Sequence, residues 1–254
     1  MIDINIEIEA VYTIWLREFK RYYRAKERII GSLAMPLLWF LIFGIGLGSS
    51  ISFTGVDVNY FSFTVPGIIA MSLLFTSLFS GVSVIWDREF GFLKEMLVAP
   101  VSRISIVIGK ALGGATTAFI QSLLILIIAV ALGWSVSIIS LLLLIPLILV
   151  ISIGFVSLGL TIASLMQSTE GFHLIMNFMV MPMFFLSGAL FPLNSLPEWL
   201  RLFTYIDPMM YGVEMLRFVS MEFSSFNPLI SLATVVVFSS AMSLMAAYTF
   251  SRRE

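Results

Sequence analysis

ALGGATTAFIQSLLILIIAVALGWSVSIISLLLLIPLILVISIGFVSLGLTIASLMQST, residues 111–169, contains no Asp, Glu, Lys, Arg or His. A helix needs about 20 apolar residues to cross a bilayer core of roughly 30 Å. This stretch of 59 residues is too long for one crossing and suits two. The turn between them falls at Gly133-Trp134-Ser135-Val136-Ser137, where small and polar residues interrupt the Leu/Ile/Val pattern. Four further charge-free runs, Ile29–Val56, Val58–Trp86, Leu174–Pro197 and Phe223–Ser251, hold 28, 29, 24 and 29 residues and suit one crossing each. The expected architecture is all-α and integral to a membrane. Its six spans are Ile30–Leu47, Phe61–Ile85, Ala111–Leu132, Ile138–Leu165, Leu174–Phe191 and Pro228–Phe250.

Composition agrees. Charged residues make up 11% of the 254, against about 25% in an ordinary soluble domain. There is no cysteine, which excludes disulfides, thiolate nucleophiles and Cys-based metal sites. The first 28 residues are charged and precede a full span, so a cleaved signal peptide is not expected.

The distribution of positive charge sets the expected orientation. Six Lys and Arg precede the first span, four (Arg88, Lys94, Arg103, Lys110) lie between the second and third, and Arg252 and Arg253 follow the last. These are 12 of the 14 in the chain and fall on one side of a six-span layout. By the positive-inside rule both termini are cytoplasmic.

Between the spans, three segments carry the remaining information. Residues 1–28 read as an amphipathic interfacial helix. Val11, Ile14, Trp15, Phe19 and Tyr22 share one face, and Arg17, Lys20, Arg21, Arg24 and Arg28 occupy much of the rest. Its role is either a lipid anchor or a platform that also touches a cytoplasmic partner. Residues 86–103 form the most charged link: Asp87, Arg88, Glu89, Phe90, Gly91, Phe92, Leu93, Lys94 and Glu95 precede Met96 and Leu97, and Pro100 ends a short helix before Ser102 starts the next. Its apolar residues need either headgroups or another protein. Residues 193–218 are apolar yet charged. Ser195 and Glu198 match a capping box with Pro197 in the first turn, and Asp207-Pro208 starts a second helix. Glu214 and Arg217 are spaced to pair. Two short outer helices here either lie on the membrane or dip into it as a gate. In the first span Gly44 and Gly48 either permit close packing or mark a frayed end, and Ser49–Tyr60 is an external link.

Chemistry is conspicuous by what the chain lacks. There is no G-x-x-x-x-G-K-[ST], G-x-S-x-G or H-E-x-x-H, and no intramembrane acid pair for a protease or proton carrier. Glu170 and His173 share a polar loop but lack the further ligands a metal needs, so no metal site is expected. The basic residues lie against the membrane, which leaves nucleic-acid binding unsupported.

Taken in order, these segments resemble the permease subunit of ABC type-2 transporters over essentially the whole chain. The resemblance is carried by the basic helix Arg17 to Arg28 before the first span, by Thr64-Val65-Pro66-Gly67, and by Asp87-Arg88-Glu89-Phe90-Gly91-Phe92-Leu93-Lys94-Glu95. It continues through Ser187-Gly188, Phe191-Pro192, Pro197, Trp199-Leu200-Arg201, Asp207-Pro208, Tyr211, Glu214 and Arg217. It is similar above all to the daunorubicin-resistance type of drug-efflux permease, with Nod-factor and polysaccharide export permeases more distant. Asp207 departs from the pattern, since many relatives carry Asn there.

The resemblance implies one transmembrane domain, 1–254, that works as half of an exporter. A second permease copy, identical or related, completes the pathway. Two ATPase subunits bind ATP and Mg, and this chain holds no cofactor and is not itself an enzyme. It further implies that residues 87–95 are the coupling helix, that Trp15, Arg17, Phe19, Arg21 and Arg24 belong to the connecting helix, and that residues 193–218 are the outer re-entrant gate. The expected location is the plasma or inner membrane. The expected cargo is an amphipathic drug, lipid or glycolipid, with lipid-linked glycan export, a passive channel and a scaffold as alternatives.

Overall fold

The computed structural model describes residues 4–46 and 60–253, apart from the side chains of Arg28, Ile45 and Arg253. The end of the first expected span at Leu47, Gly48 and the link over residues 49–59 lie outside the described residues. Every regular element described is helical. The chain runs through α1 (Ile4–Arg24), α2 (Lys26–Trp39) with a π-helical continuation (Phe40–Gly46), α3 (Tyr60–Ser80), α4 (Val82–Glu89), α5 (Phe92–Val98) and α6 (Arg103–Ala131). It continues through α7 (Ile138–Leu165), α8 (Thr169–Leu186), a 3₁₀ turn (Leu193–Ser195), α9 (Glu198–Thr204), α10 (Pro208–Met221) and α11 (Pro228–Arg253).

Five stretches among these residues are long and apolar enough to cross a membrane: Tyr60–Glu89, Arg103–Ala131, Ile138–Leu165, Thr169–Leu186 and Pro228–Arg252. The first expected span is described only to Gly46. Ile29–Gly44 meets the same criterion only together with Ile4–Arg24, from which it bends by 70°. The count is therefore five, or six with that bent pair. Helix α8 starts at Thr169 and ends at Leu186, where Leu174–Phe191 was expected. Ser168 accepts a hydrogen bond from the Gly171 amide and starts the helix inside the expected polar loop. At the other end Gly188, with φ of 72°, turns the chain out of the helix.

The break between α6 and α7 falls where the sequence places it. Gly133 takes a φ of 98°, and Ser137 caps α7 by accepting from the Ser140 amide. In α2, Pro36 has no amide to give the Ser32 carbonyl, which lies one turn earlier. The Gln121 side-chain amide donates to that carbonyl at 2.9 Å, so a helix 89 residues away supplies the missing bond. Gly44 is buried against the Phe61 ring, so this end of the segment is packed and not frayed.

Helix α3 is the buried centre, with α6, α7 and α10 packed around it and α11 packed on α7. Here α7 meets the α3–α4 junction backbone to backbone: a Cβ on Gly81 would strike the Gly159 carbonyl, and one on Gly159 would strike the Leu78 carbonyl. Neither backbone can retreat without repacking two spans. Gly159→Ala is therefore expected to lower stability by about 1–3 kcal/mol, the usual cost of overpacking. Reversible unfolding in mixed micelles measures it, and an unchanged midpoint would show that these helices separate freely.

Candidate functional site

Two polar assemblies sit at opposite ends of the bundle. The first joins α1, α4, α5 and α6. Gly91, at φ 82°, turns the chain from α4 into α5, a conformation that favours glycine. Of the nine residues expected to contact a partner, Asp87 and Leu93 are buried, 2% and 1% exposed. Neither can present itself to a partner, which corrects that part of the expectation. Arg88 donates to the Met166 carbonyl at 2.6 Å, and Glu89 accepts from Thr169 at 3.1 Å, tying α4 to the α7–α8 turn. The outward set is Phe90, Phe92, Lys94 and Glu95, with Val98 beyond them.

Asp87 is the hub of this assembly. Arg17 from α1 and Lys110 from α6 both bond its carboxylate, and Arg21 reaches it at 3.8 Å. Glu18 completes the cluster, 2.6 Å from Arg21 and 3.5 Å from Lys110. Three cations thus share two carboxylates, and the Lys110 side chain is fully buried. Arg17 also lies over the Phe92 ring at 5.4 Å, so the same guanidinium touches both the hub and the outward helix.

Helix α1 does not use its apolar face on lipid alone. Ile14 and Tyr22 are buried, Trp15 donates to Thr116 at 2.9 Å and stacks on Phe19. Gly109 and Gly113 on α6 let it in: an added Cβ would come within 2.8 Å of Ile14 and 2.5 Å of Glu18. Glu7 accepts from the Ser102 amide and hydroxyl, both at 2.8 Å, and so pins the start of α1 to the start of α6. Arg24 stands exposed beyond the packed part.

The second assembly surrounds the turn after α8. The Tyr60 hydroxyl donates to the Leu190 carbonyl at 3.1 Å, and the Ala189 backbone lies so close to Gly67 that no side chain fits there. Arg217 donates to the Gly188 carbonyl at 2.9 Å and to Glu214 at 2.7 Å, with the Phe63 ring 3.9 Å from its guanidinium. The second Glu214 oxygen accepts from the Ser225 amide and the Ser224 hydroxyl. The expected Glu214–Arg217 pair forms, buried among protein and not beside lipid.

The two short helices here differ. Helix α9 exposes Trp199, Leu202 and Phe203, whereas α10 is buried against α3, α7, α8 and α11. The expected capping box is absent: Pro197 occupies the N-cap of α9, and the Ser195 hydroxyl bonds back to the Pro192 carbonyl. With proline at the N-cap, Ser195 lies two residues too early to cap the first turn. Asp207 does cap α10, accepting from the Met209 amide at 2.9 Å next to Pro208, and Tyr211 donates to the Tyr205 carbonyl.

Burial pushes the Asp207 carboxyl up to about 7, the Met209 amide only partly offsetting it. A raised acid stabilises the fold while protonated. This contribution is full below the ordinary value of 3.8 and is lost as pH rises to about 7. Asp207→Asn keeps the cap and removes the titration. Its melting temperature is expected to vary less with pH between 4 and 8 than the parent's; parallel curves would contradict the burial argument.

His173 stacks on Phe79 at 5.5 Å, and no group of three potential metal ligands occurs among the described residues. Nothing in the sequence singles out Glu18, Thr116 or Gln121, and Lys110 enters only among the positive charges that set the orientation. Only the small face Gly109, Gly113, Gly114 hinted that another helix lies against this part of α6.

Residues 9–221 match the family model described as ABC-2 type transporter. The chain belongs to the ABC-2 type transporter family. This permease is 30% identical over 215 residues to the transport permease ycf38 of Cyanophora paradoxa, covering 84% of this chain and 74% of the relative. It is 30% identical over 211 residues to nodulation protein J of Rhizobium leguminosarum bv. viciae, covering 80% of each, and 31% identical to that of Rhizobium meliloti, covering 80% and 79%. ABC-2 permeases are multi-pass membrane components of transporters that work with an ATP-binding cassette ATPase and are not themselves catalytic.

Proposed function

We propose that this permease is the membrane half of an ATP-driven exporter of amphipathic drug-like, lipid or glycolipid molecules. Two permease copies, identical or related, enclose the pathway. The end bearing α1 and α5 faces the cytoplasm of the plasma or inner membrane, where two ATPase subunits bind ATP and Mg. The positive charges concentrated at that end support the orientation. Helix α5 is the coupling helix, and α9 with the buried α10 forms the outer gate.

One observation carries the coupling role. Phe90 is 73% exposed and Phe92 48% exposed on a charged element anchored by Arg17, Asp87 and Lys110. Large apolar groups held rigidly outward beside Lys94 and Glu95 suit a protein partner with an apolar cleft and polar rim. Movement imposed on α5 passes to α1 and α6 through the Asp87 hub.

Phe90→Asp is expected to reduce recovery of the ATPase with the tagged permease at least tenfold, and to abolish ATP-dependent transport in liposomes, without shifting the melting temperature. Leu93→Asp would not discriminate, because Leu93 is core. Undiminished copurification with Phe90→Asp would sink the docking assignment.

A further inference from the structure

A cleft of about 310 Å³ lies between the end of α1 and helices α2, α3, α6 and α8. That volume is at the lower end for pockets that enclose a drug-sized molecule. One end is charged: Glu18, Arg21 and Lys110 line it. Three cations against two carboxylates leave the surrounding cluster with one excess positive charge. The wall then becomes apolar, with Met35, Trp39, Phe75 and Phe79.

The inner end is polar again. Gln121 lies eleven residues along α6 from Lys110, about 16 Å at 1.5 Å per residue. Ser80 packs on Gly114, and the antiparallel run of α3 then brings Ser72 level with Gln121. Gln121 is 1% exposed and Ser72 fully buried, and both line the cleft. The Gln121 amide nitrogen is committed to the Ser32 carbonyl freed by Pro36. Its Oε1 has no protein partner, and neither has the Ser72 hydroxyl. A buried acceptor without a donor is costly in a membrane setting, where no water makes up the missing bond. Two such atoms, on residues that line one apolar cleft, make a receptor for a hydrogen-bond donor.

We infer that this cleft is a binding site for an elongated amphiphile with polar groups at both ends. A carboxylate or other anionic head sits at the Arg21–Lys110 end, the apolar body lies along Phe75 and Phe79, and a hydroxyl or amide donor reaches Gln121 Oε1 and Ser72. The end of α1 forms part of the wall, so occupancy bears on the helix that carries Arg17 to the Asp87 hub. Naming this class as cargo rests on the exporter reading; the binding itself does not.

The probe is 12-hydroxydodecanoate with a mid-chain diazirine, photolysed with the purified full chain in detergent, with no ATPase present. Dodecanoate carrying the same diazirine lacks only the donor. The hydroxy acid is expected to label Trp39, Phe75 and Phe79 saturably, and about three- to tenfold more strongly than dodecanoate, the worth of one neutral hydrogen bond. Ser72→Ala and Gln121→Leu should lower that ratio, while labelling of the exposed Phe178 stays equal for both probes. Equal labelling of the cleft by the two acids in the parent chain, or labelling no denser there than at Phe178, overturns the site. Because no ATPase is present, a negative result leaves the coupling proposal standing, and a failure of Phe90→Asp to uncouple leaves the labelling result standing.

Discussion

Asp87→Ala is expected to destabilise the permease by about 3–5 kcal/mol, the loss typical when one partner of a buried charge pair is removed. The reason is the charge left behind. The Lys110 side chain is completely buried, and without Asp87 its remaining anionic neighbour is Glu18 at 3.5 Å, already shared with Arg21. Arg17 is about one-third exposed and recovers hydration more easily, so its loss matters less. Replacing both Asp87 and Lys110, as Asp87→Ala with Lys110→Met, removes the stranded cation and should restore most of the lost stability. Unfolding titrations in mixed micelles on the two single variants and the double give the coupling directly. A double variant as unstable as Asp87→Ala alone would mean that Asp87 acts by packing and not by charge. The rescued protein should still uncouple, since α1 then no longer grips α4 and α6 through the hub.

Five of the six expected spans, one of them with shifted ends, and the turn at Gly133 were legible because the membrane imposes a simple rule, charges outside and apolar runs of sufficient length inside. Helix starts at Ser102, Ser137 and Asp207 were legible because capping is a local event between residues two or three apart. The Glu214–Arg217 pair was legible for the same reason. The Asp87 hub was not, because its members are 70 and 23 residues from Asp87 and nothing in either segment declares the other. By sequence Lys110 falls with a loop, because it precedes a charge-free run. Helix α6 begins seven residues earlier, at Arg103, and carries Lys110 inside. The apolar stripe on α1 is legible as one face, of which Ile14 and Tyr22 are buried, but periodicity does not distinguish a face turned to lipid from one packed against glycines of another helix. Ser195 shows the converse limit: the capping pattern was present, but proline geometry between Ser195 and Glu198 prevented its use.

Glu214→Ala is expected to cost more than Arg217→Ala, and again about 3–5 kcal/mol. Both side chains are buried, so the difference lies in what each leaves unsatisfied. Without Glu214, Arg217 keeps one carbonyl, Gly188, and the Phe63 ring, neither of which neutralises a buried cation. The Ser225 amide also loses its acceptor, which loosens the chain entering α11, while the Ser224 hydroxyl keeps the Phe226 carbonyl at 2.7 Å. Without Arg217, the carboxylate still accepts from the Ser225 amide and the Ser224 hydroxyl, so it keeps hydrogen-bond partners where it is buried. The gate proposal adds a second consequence. Arg217 is the bond between α10 and the Gly188 turn, which itself rests on Gly67 and Tyr60 of α3. Arg217→Met keeps the side-chain volume and cuts that bond. It should raise labelling of a cysteine placed at Leu190 by a water-soluble maleimide, while leaving copurification with the ATPase unchanged. Labelling that stays at the parent level would show that the turn is held by backbone packing at Gly67 alone, and that α10 is not the element that opens it.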